Sequence, residues 1–140
     1  MSLEKVLAIS EKPGLFKIVT QTRSGFVAES LLDGKRVSVN MHSNVSLLSE
    51  IAIYTLTEEV PLVKVLKKIK DKENSQVTSI SHKSSKDDLE EYFFDVLPDY
   101  DEDRVYASDI KKVMRWYNLL QENKMLHLIE DDEDNKDEEE

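Results

Sequence analysis

The stretch Asp33-Gly34-Lys35-Arg36 sets a glycine and two cations at one turn, the residue types with which a loop cradles phosphate. A P-loop also needs a glycine five residues ahead of its Gly-Lys pair, and Ser or Thr after the lysine, so that backbone N–H groups wrap the anion. Glu29 and Arg36 stand at those positions, which excludes a P-loop. Asp99, Asp101 and Asp103 alternate as calcium-loop ligands do. An EF-hand further requires glycine at its sixth position and a bidentate glutamate at its twelfth. Here those are Arg104 and Ile110, so a solvated acidic loop is the better reading.

His42, His82 and His127 lie far apart, without the i, i+4 spacing of a helical metal site. No serine stands in a nucleophile-elbow sequence. The chain has no cysteine, which removes disulfides, thiolate metal ligands and cysteine nucleophiles. Carboxylates are too numerous in so acidic a chain for any pair to signal acid–base catalysis. The residues therefore predict no catalytic centre, no metal and no cofactor, in a protein that is not an enzyme.

Cations offer more. Arg23 and the Lys35/Arg36 pair fall on loops at opposite ends of one strand, while Lys64, Lys67 and Lys68, with Lys70 and Lys72, gather on a helix. Side chains of this kind contact nucleic-acid phosphates in small basic domains. Against this, residues 1–58 hold six basic and six acidic residues, and a lysine-rich helix face is ordinarily just solvated. The aromatic set Tyr92, Phe93, Phe94, Tyr100, Tyr106, Trp116 and Tyr117 is mostly core material, with Phe94 or Trp116 able to leave an apolar patch for a partner.

Up to about Thr55 apolar residues alternate with polar ones, between turn signals at Pro13-Gly14, Arg23-Ser24-Gly25 and Asp33-Gly34. A two-residue Asp33-Gly34 loop sets Ser30 opposite Val37 and Ala28 opposite Val39. A three-residue Arg23-Ser24-Gly25 loop, with Gly25 left-handed, sets Thr20 opposite Ala28 and Ile18 opposite Ser30. Both place Phe16, Ile18, Thr20, Phe26, Ala28, Ser30, Leu32, Val37, Val39 and Met41 on one face, with Val19, Val27 and Leu31 as exceptions on the other. Arg36 then faces Leu31 across the strands, and Lys35 has no structural task. Five short strands in this span, with "IAIYT" as the fifth, predict an SH3-like small antiparallel β-barrel.

After Thr57 the period becomes 3.6, with Leu62, Val65, Leu66 and Ile69 on one stripe and Thr57 as N-cap. Residues 73–85 read as a polar linker. Ser85 and Asp88 open a second helix, with Leu89, Phe93, Val96 and Leu97 apolar, and Ser108-Asp109 a third, with Ile110, Val113, Met114 and Tyr117 on its stripe. Met125 to Ile129 fits strand or helix equally. Nine of the last eleven residues are acidic, so 130–140 is expected to be a disordered tail. The fold is thus α+β: barrel and helix over 1–72, linker over 73–85, helical module over 86–129, then the tail.

Charge follows this division: residues 1–84 carry +3 and residues 85–140 carry −13, which sum to the chain's −10. The start carries Glu4 and Lys5 where a signal peptide needs apolar residues, and no stretch is long enough to span a membrane. A cytoplasmic location follows.

The segments "LEKVLAIS", "KPGLFKIVTQTRSGFVAESLLDGKR", "IAIYT" and "EVPLVKVLKKI" resemble an uncharacterised family of bacterial proteins, found mainly in Bacteroidetes, known as a domain of unknown function. The match covers most of the first 70 residues, and the helical region resembles the segment usually attached to it. The family pattern has glycine where this chain has Glu11. The resemblance implies a bacterial protein and brings no activity, cofactor or catalytic residue.

The expected function is therefore a non-enzymatic adaptor docking in a cytoplasmic protein assembly. The alternative is an RNA- or ribosome-associated factor that uses the basic loops and the lysine helix. The acidic tail could contact that lysine face in cis or in trans.

Overall fold

The computed structural model describes residues 5–9, 12, 14–40, 44–81 and 83–129. Met41, His42, His82 and the tail 130–140 lie outside the described residues. Alternating sequence builds β1 (Val6–Ile9), β2 (Phe16–Gln21), β3 (Gly25–Ser30), β4 (Arg36–Asn40) and the short β5 (Val45–Leu47). A 3-10 turn at Leu48–Glu50 leads to β6 (Ala52–Tyr54) and β7 (Glu59–Pro61), followed by α1 (Leu62–Lys72), α2 (Lys86–Val96) and α3 (Ala107–Glu122). The fold is α+β.

The first five strands form one antiparallel sheet in the order β4-β3-β2-β1-β5. β4 and β5 are its edges, and no sheet closes among the described residues, so the expected barrel is not formed there. The reason lies in β6. It does not join the first sheet but pairs with β7, and Thr55 forms a further bridge to Tyr100. β5, unmarked in the sequence reading, takes the fifth place. Leu7, Ile9, Phe16, Ala28 and Val39 nevertheless form a buried cluster made wholly of sheet residues, so the sheet curves over this face to supply its own core.

The β3–β4 hairpin, and β2–β3 as far as Ile18, sit two residues from the expected register, while beyond the bulge at Val19 the offset is one and Thr20 faces Val27. Ala28 faces Val37 and Ile18 faces Ala28. A shift of two preserves side-chain direction, which is why Phe16, Ala28, Ser30 and Val39 of the expected inner set are buried. Thr20, beyond the bulge, and Leu32, in the loop, were expected on that face and are exposed instead. The β3–β4 loop has four residues rather than two: the Ser30 N–H donates to the Lys35 carbonyl (2.8 Å), and the Gly34 N–H donates back to Ser30 (2.9 Å). Leu31 is pulled out of the strand because its side chain joins the helical core and its N–H donates to the Leu15 carbonyl (2.9 Å). Lys35 does have a structural task, since its N–H also caps Asp33 Oδ1 (3.0 Å). Arg36 faces Glu29 rather than Leu31, and Glu29 pairs on its other side with Lys17 (3.2 Å).

The β2–β3 loop has two residues, closed by Thr22 N–H to the Gly25 carbonyl (2.9 Å), and a bulge at Val19 absorbs the difference. Gly25 is a strand residue, not left-handed. It is glycine because β4 approaches so closely that an added Cβ would collide with the Val39 carbonyl and lie 2.7 Å from Asn40 Cα. Gly34, by contrast, has φ +74 and open space around it.

Thr57 is not a helix N-cap. Pro61 holds the preceding residue extended, so 59–61 pair as a strand and the helix starts at Leu62. Thr55 instead organises the β6–β7 turn: its Oγ1 donates to the Glu58 carbonyl (2.6 Å) and accepts from the Glu58 N–H (2.9 Å). The expected apolar stripe of α1 is fully buried. Ser85 caps α2 by accepting from the Asp88 N–H (3.2 Å). α3 begins one residue before Ser108, at Ala107, and the Asp109 carboxylate accepts from the Tyr106 N–H (3.0 Å). Of residues 125–129, expected as strand or helix, His127–Ile129 are helical, and Met125, Leu128 and Ile129 are buried.

The described part of residues 73–85 contains no helix or strand, yet it is fastened on both sides. The Tyr117 hydroxyl donates to the Gln76 carbonyl (2.6 Å), and Asn118 exchanges hydrogen bonds with Thr78 (2.9 and 3.0 Å). The Glu73 carboxylate accepts from the Tyr92 hydroxyl and the Ser79 N–H. Burial pushes this carboxyl up, but those hydrogen bonds and nearby Lys72 together outweigh it and hold it below its ordinary value. Burial, with Glu73 beside it, raises the Tyr117 hydroxyl to about 12.

Gly25→Ala should cost about 1–3 kcal/mol through overpacking against β4, whereas Gly34→Asn should cost only a few tenths because asparagine tolerates a left-handed φ; urea midpoints at constant slope compare them. Tyr92→Phe should remove about 1 kcal/mol at neutral pH. Glu73 is depressed in the fold, so its contribution is present above its unfolded value and lost as pH falls. The two proteins should therefore converge in stability at acidic pH, and a pH-independent gap in urea midpoints would refute the role given to Glu73.

A cationic aromatic cleft between the sheet and the third helix

α3 carries its apolar stripe, Ile110, Val113, Met114, Tyr117 and Leu120, into the main core. At 3.6 residues per turn, Lys112, Arg115 and Trp116 then share another face at i, i+3 and i+4. That face looks onto the sheet. Lys112, Arg115 and Trp116 form one wall of a cleft of 470 Å³, opposite Ala8 and Ile9 of β1 and Val45 and Ser46 of the edge strand β5. Lys12 and Gly14 also line it, and an added Cβ on Gly14 would lie 3.3 Å from Leu119, which shows how closely this turn meets α3. Three cations line the cleft, and no acid does among the described residues. None of the three has a carboxylate partner among those residues either.

Trp116 is half-buried and packs on the main core with one side. Together with Lys112 and Ile51 it also borders a second cleft of 230 Å³ that runs to Tyr54 and Arg104. There the Arg104 guanidinium lies 5.2 Å over the Tyr54 ring and 3.5 Å from Asp101. Trp116 is thus the partition between two adjoining depressions. An indole held by its packing, with cations around it, can stack on a planar or apolar group while the cations neutralise attached negative charge.

The structure disperses most of the other candidate residues. Arg23 lies at the β2–β3 tip and Lys35 and Arg36 at the opposite end of β3, so they do not form one patch. Lys64 and Lys68 are exposed on α1, Lys67 is half-buried, and Lys72 is spent on Asp95 (3.7 Å) and the Tyr92 ring (5.4 Å). Of the seven candidates only Trp116 lines the cleft. Lys12, Lys112 and Arg115 were missed, although the i, i+3, i+4 spacing of Lys112, Arg115 and Trp116 was there to be read. Phe94 is exposed on α2, apart from the cleft lining. Asp101 is occupied by Arg104 and by the Asp103 N–H (3.0 Å), and among the described residues no group of three or more His, Cys, Asp or Glu is arranged to hold a metal. No helix among them is long and apolar enough to cross a membrane.

A search of curated proteins finds no match. A solution NMR structure of a protein from Bacteroides vulgatus, a structural-genomics target, is 46% identical and superposes with a TM-score of 0.72 over 88% of each chain. Residues 3–48 match a domain of unknown function (DUF5606), and residues 51–120 match a second (DUF6852). The two units meet between β5 and β6, and the cleft draws its walls from both. The chain belongs to this uncharacterised Bacteroidetes family, in which a small β unit is followed by a helical one.

Proposed function

We propose that the protein is a non-enzymatic adaptor that docks a partner protein within a cytoplasmic assembly, and that it grips this partner at the Trp116 cleft. The observation that carries the reading is the set of Lys12, Lys112 and Arg115, without a carboxylate partner among the described residues, around a half-exposed tryptophan in an acidic chain. Such residues are the usual anchors of protein interfaces, where aromatic and arginine side chains carry most of the binding energy. Among the described residues β5 is an edge strand, whose outer backbone groups can hydrogen-bond to an extended segment. The groups with displaced ionisation, Glu73, Tyr92, Tyr100 and Tyr117, belong to the packing among the helices rather than to the cleft. Absence of cysteine suits a reducing cytoplasm.

The RNA-associated reading draws on Lys64 and Lys68, which stay exposed on α1. It makes a different forecast, because phosphate binding releases counterions and weakens steeply with salt, whereas docking around an indole does not.

Affinity purification of the tagged chain, with and without nuclease, decides between them. The adaptor reading expects a protein partner that survives nuclease and moderate salt. Trp116→Ala should weaken it by about 2 kcal/mol or more, with the variant's folding checked by circular dichroism. A partner equally well held by Trp116→Ala, or one released by nuclease, would contradict the proposal.

A further inference from the structure

The cleft has a candidate occupant within the same chain. Residues 130–140 carry nine acids and one lysine, a charge of −8, whereas the described lining of the cleft carries three cations and no acid. The acidic segment follows directly on Ile129, which is buried in the turn closing α3. That turn is anchored by Met125 N–H donating to the Leu120 carbonyl (2.7 Å), and the same end of α3 packs on Gly14 through Leu119. The segment is thus rooted beside the end of α3 that meets Gly14, one of the residues lining the cleft. From Leu120 back to Lys112 is about 12 Å along the helix at 1.5 Å per residue. Eleven residues reach about 36 Å when extended, well beyond that span. Tethering gives such a segment an effective concentration on the order of millimolar, so even a weak attraction fills the site.

We propose that residues 130–140 dock into the Lys12–Lys112–Arg115–Trp116 cleft as an intramolecular competitor of the partner. This rests on the reading of the cleft as the binding site, and it specifies that the partner's own contacting segment is acidic. Occupancy is electrostatic and falls as salt shortens the Debye length. A partner with an added apolar or aromatic side chain for Trp116 displaces the tail, since the tail has none to offer.

The test keeps the whole chain and changes only charge. All nine acids of 130–140 are replaced by their amides, and amide NMR shifts are compared with the unaltered protein at low salt. Differences should concentrate on Ala8, Ser46, Lys112 and Trp116 and vanish in about 0.5 M salt, where the Debye length is only a few Å. Accessibility of Trp116, the sole tryptophan, to acrylamide should rise in the amide variant. A synthetic peptide of residues 130–140 should bind the amide variant at least about tenfold more tightly than the unaltered chain, as an occupied tether demands. Shift differences confined to Lys64 and Lys68 on α1, or absent throughout, overturn the inference. A partner that is lost by Trp116→Ala while the tail produces no shifts removes only this inference and leaves the adaptor reading. A partner retained by Trp116→Ala removes that reading, whatever the tail does.

Discussion

The structure turns on how α3 is rotated. Ile110, Val113, Met114, Tyr117 and Leu120 are almost fully removed from water, and each contributes on the order of 1.5–3 kcal/mol by its burial. No other rotation of the helix satisfies them. Successive residues stand about 100° apart, so fixing Tyr117 in the core fixes Trp116 at its flank and turns Lys112 and Arg115 toward the sheet. The cations need no interaction of their own to hold this orientation. A site can therefore be kept electrostatically unbalanced, because the apolar stripe supplies the energy that keeps it there.

The second constraint is that the sheet and the helices are not separate bodies. Val6 of β1, Leu15, Leu31 of the β3–β4 loop and Leu48 belong to the same buried cluster as the helices. Leu31 illustrates the mechanism. It leaves the strand pattern, enters the helical core, and gives its carbonyl to Asn123 Nδ2 (3.2 Å). The two family segments meet between residues 48 and 51, close to where the cleft runs. A binding depression at such a seam is made from surfaces that neither segment presents alone. The linker 73–85 reinforces the joint, since its hydrogen bonds to Tyr92, Tyr117 and Asn118 tie α1 to α2 and α3.

Local signals in the sequence were read well, and non-local ones were not. The faces of β3, β4 and β2 up to Ile18 match the expected ones despite the different register, because a shift of two preserves side-chain direction; Thr20 does not, because the bulge at Val19 makes the offset odd there. Leu31 looked like an outward exception only because its destination, 92 residues away at Asn123, is invisible to period-two reasoning. Gly25 was assigned a turn, since nothing local distinguishes a left-handed glycine from one pressed by a neighbouring strand. The helix stripes and the Ser85 cap were legible because their partners lie within four residues. β6 was placed in the wrong sheet for the opposite reason: strand pairing is settled by contacts such as Thr55 with Tyr100, far along the chain. The site shared that fate. Trp116 stood out as an aromatic, but the cations around it come from a turn and a helix that only folding brings together.

The cleft requires that the sheet and α3 form one cooperative unit. Native-state amide hydrogen exchange measures this directly, by giving the opening free energy at Ile18 and Ala28 in the sheet and at Met114 and Tyr117 in α3. A shared core predicts one common global value at both sets, lowered equally by a destabilising change in either. Two well-separated values, with the sheet opening while α3 remains closed, would contradict a cleft built jointly by both.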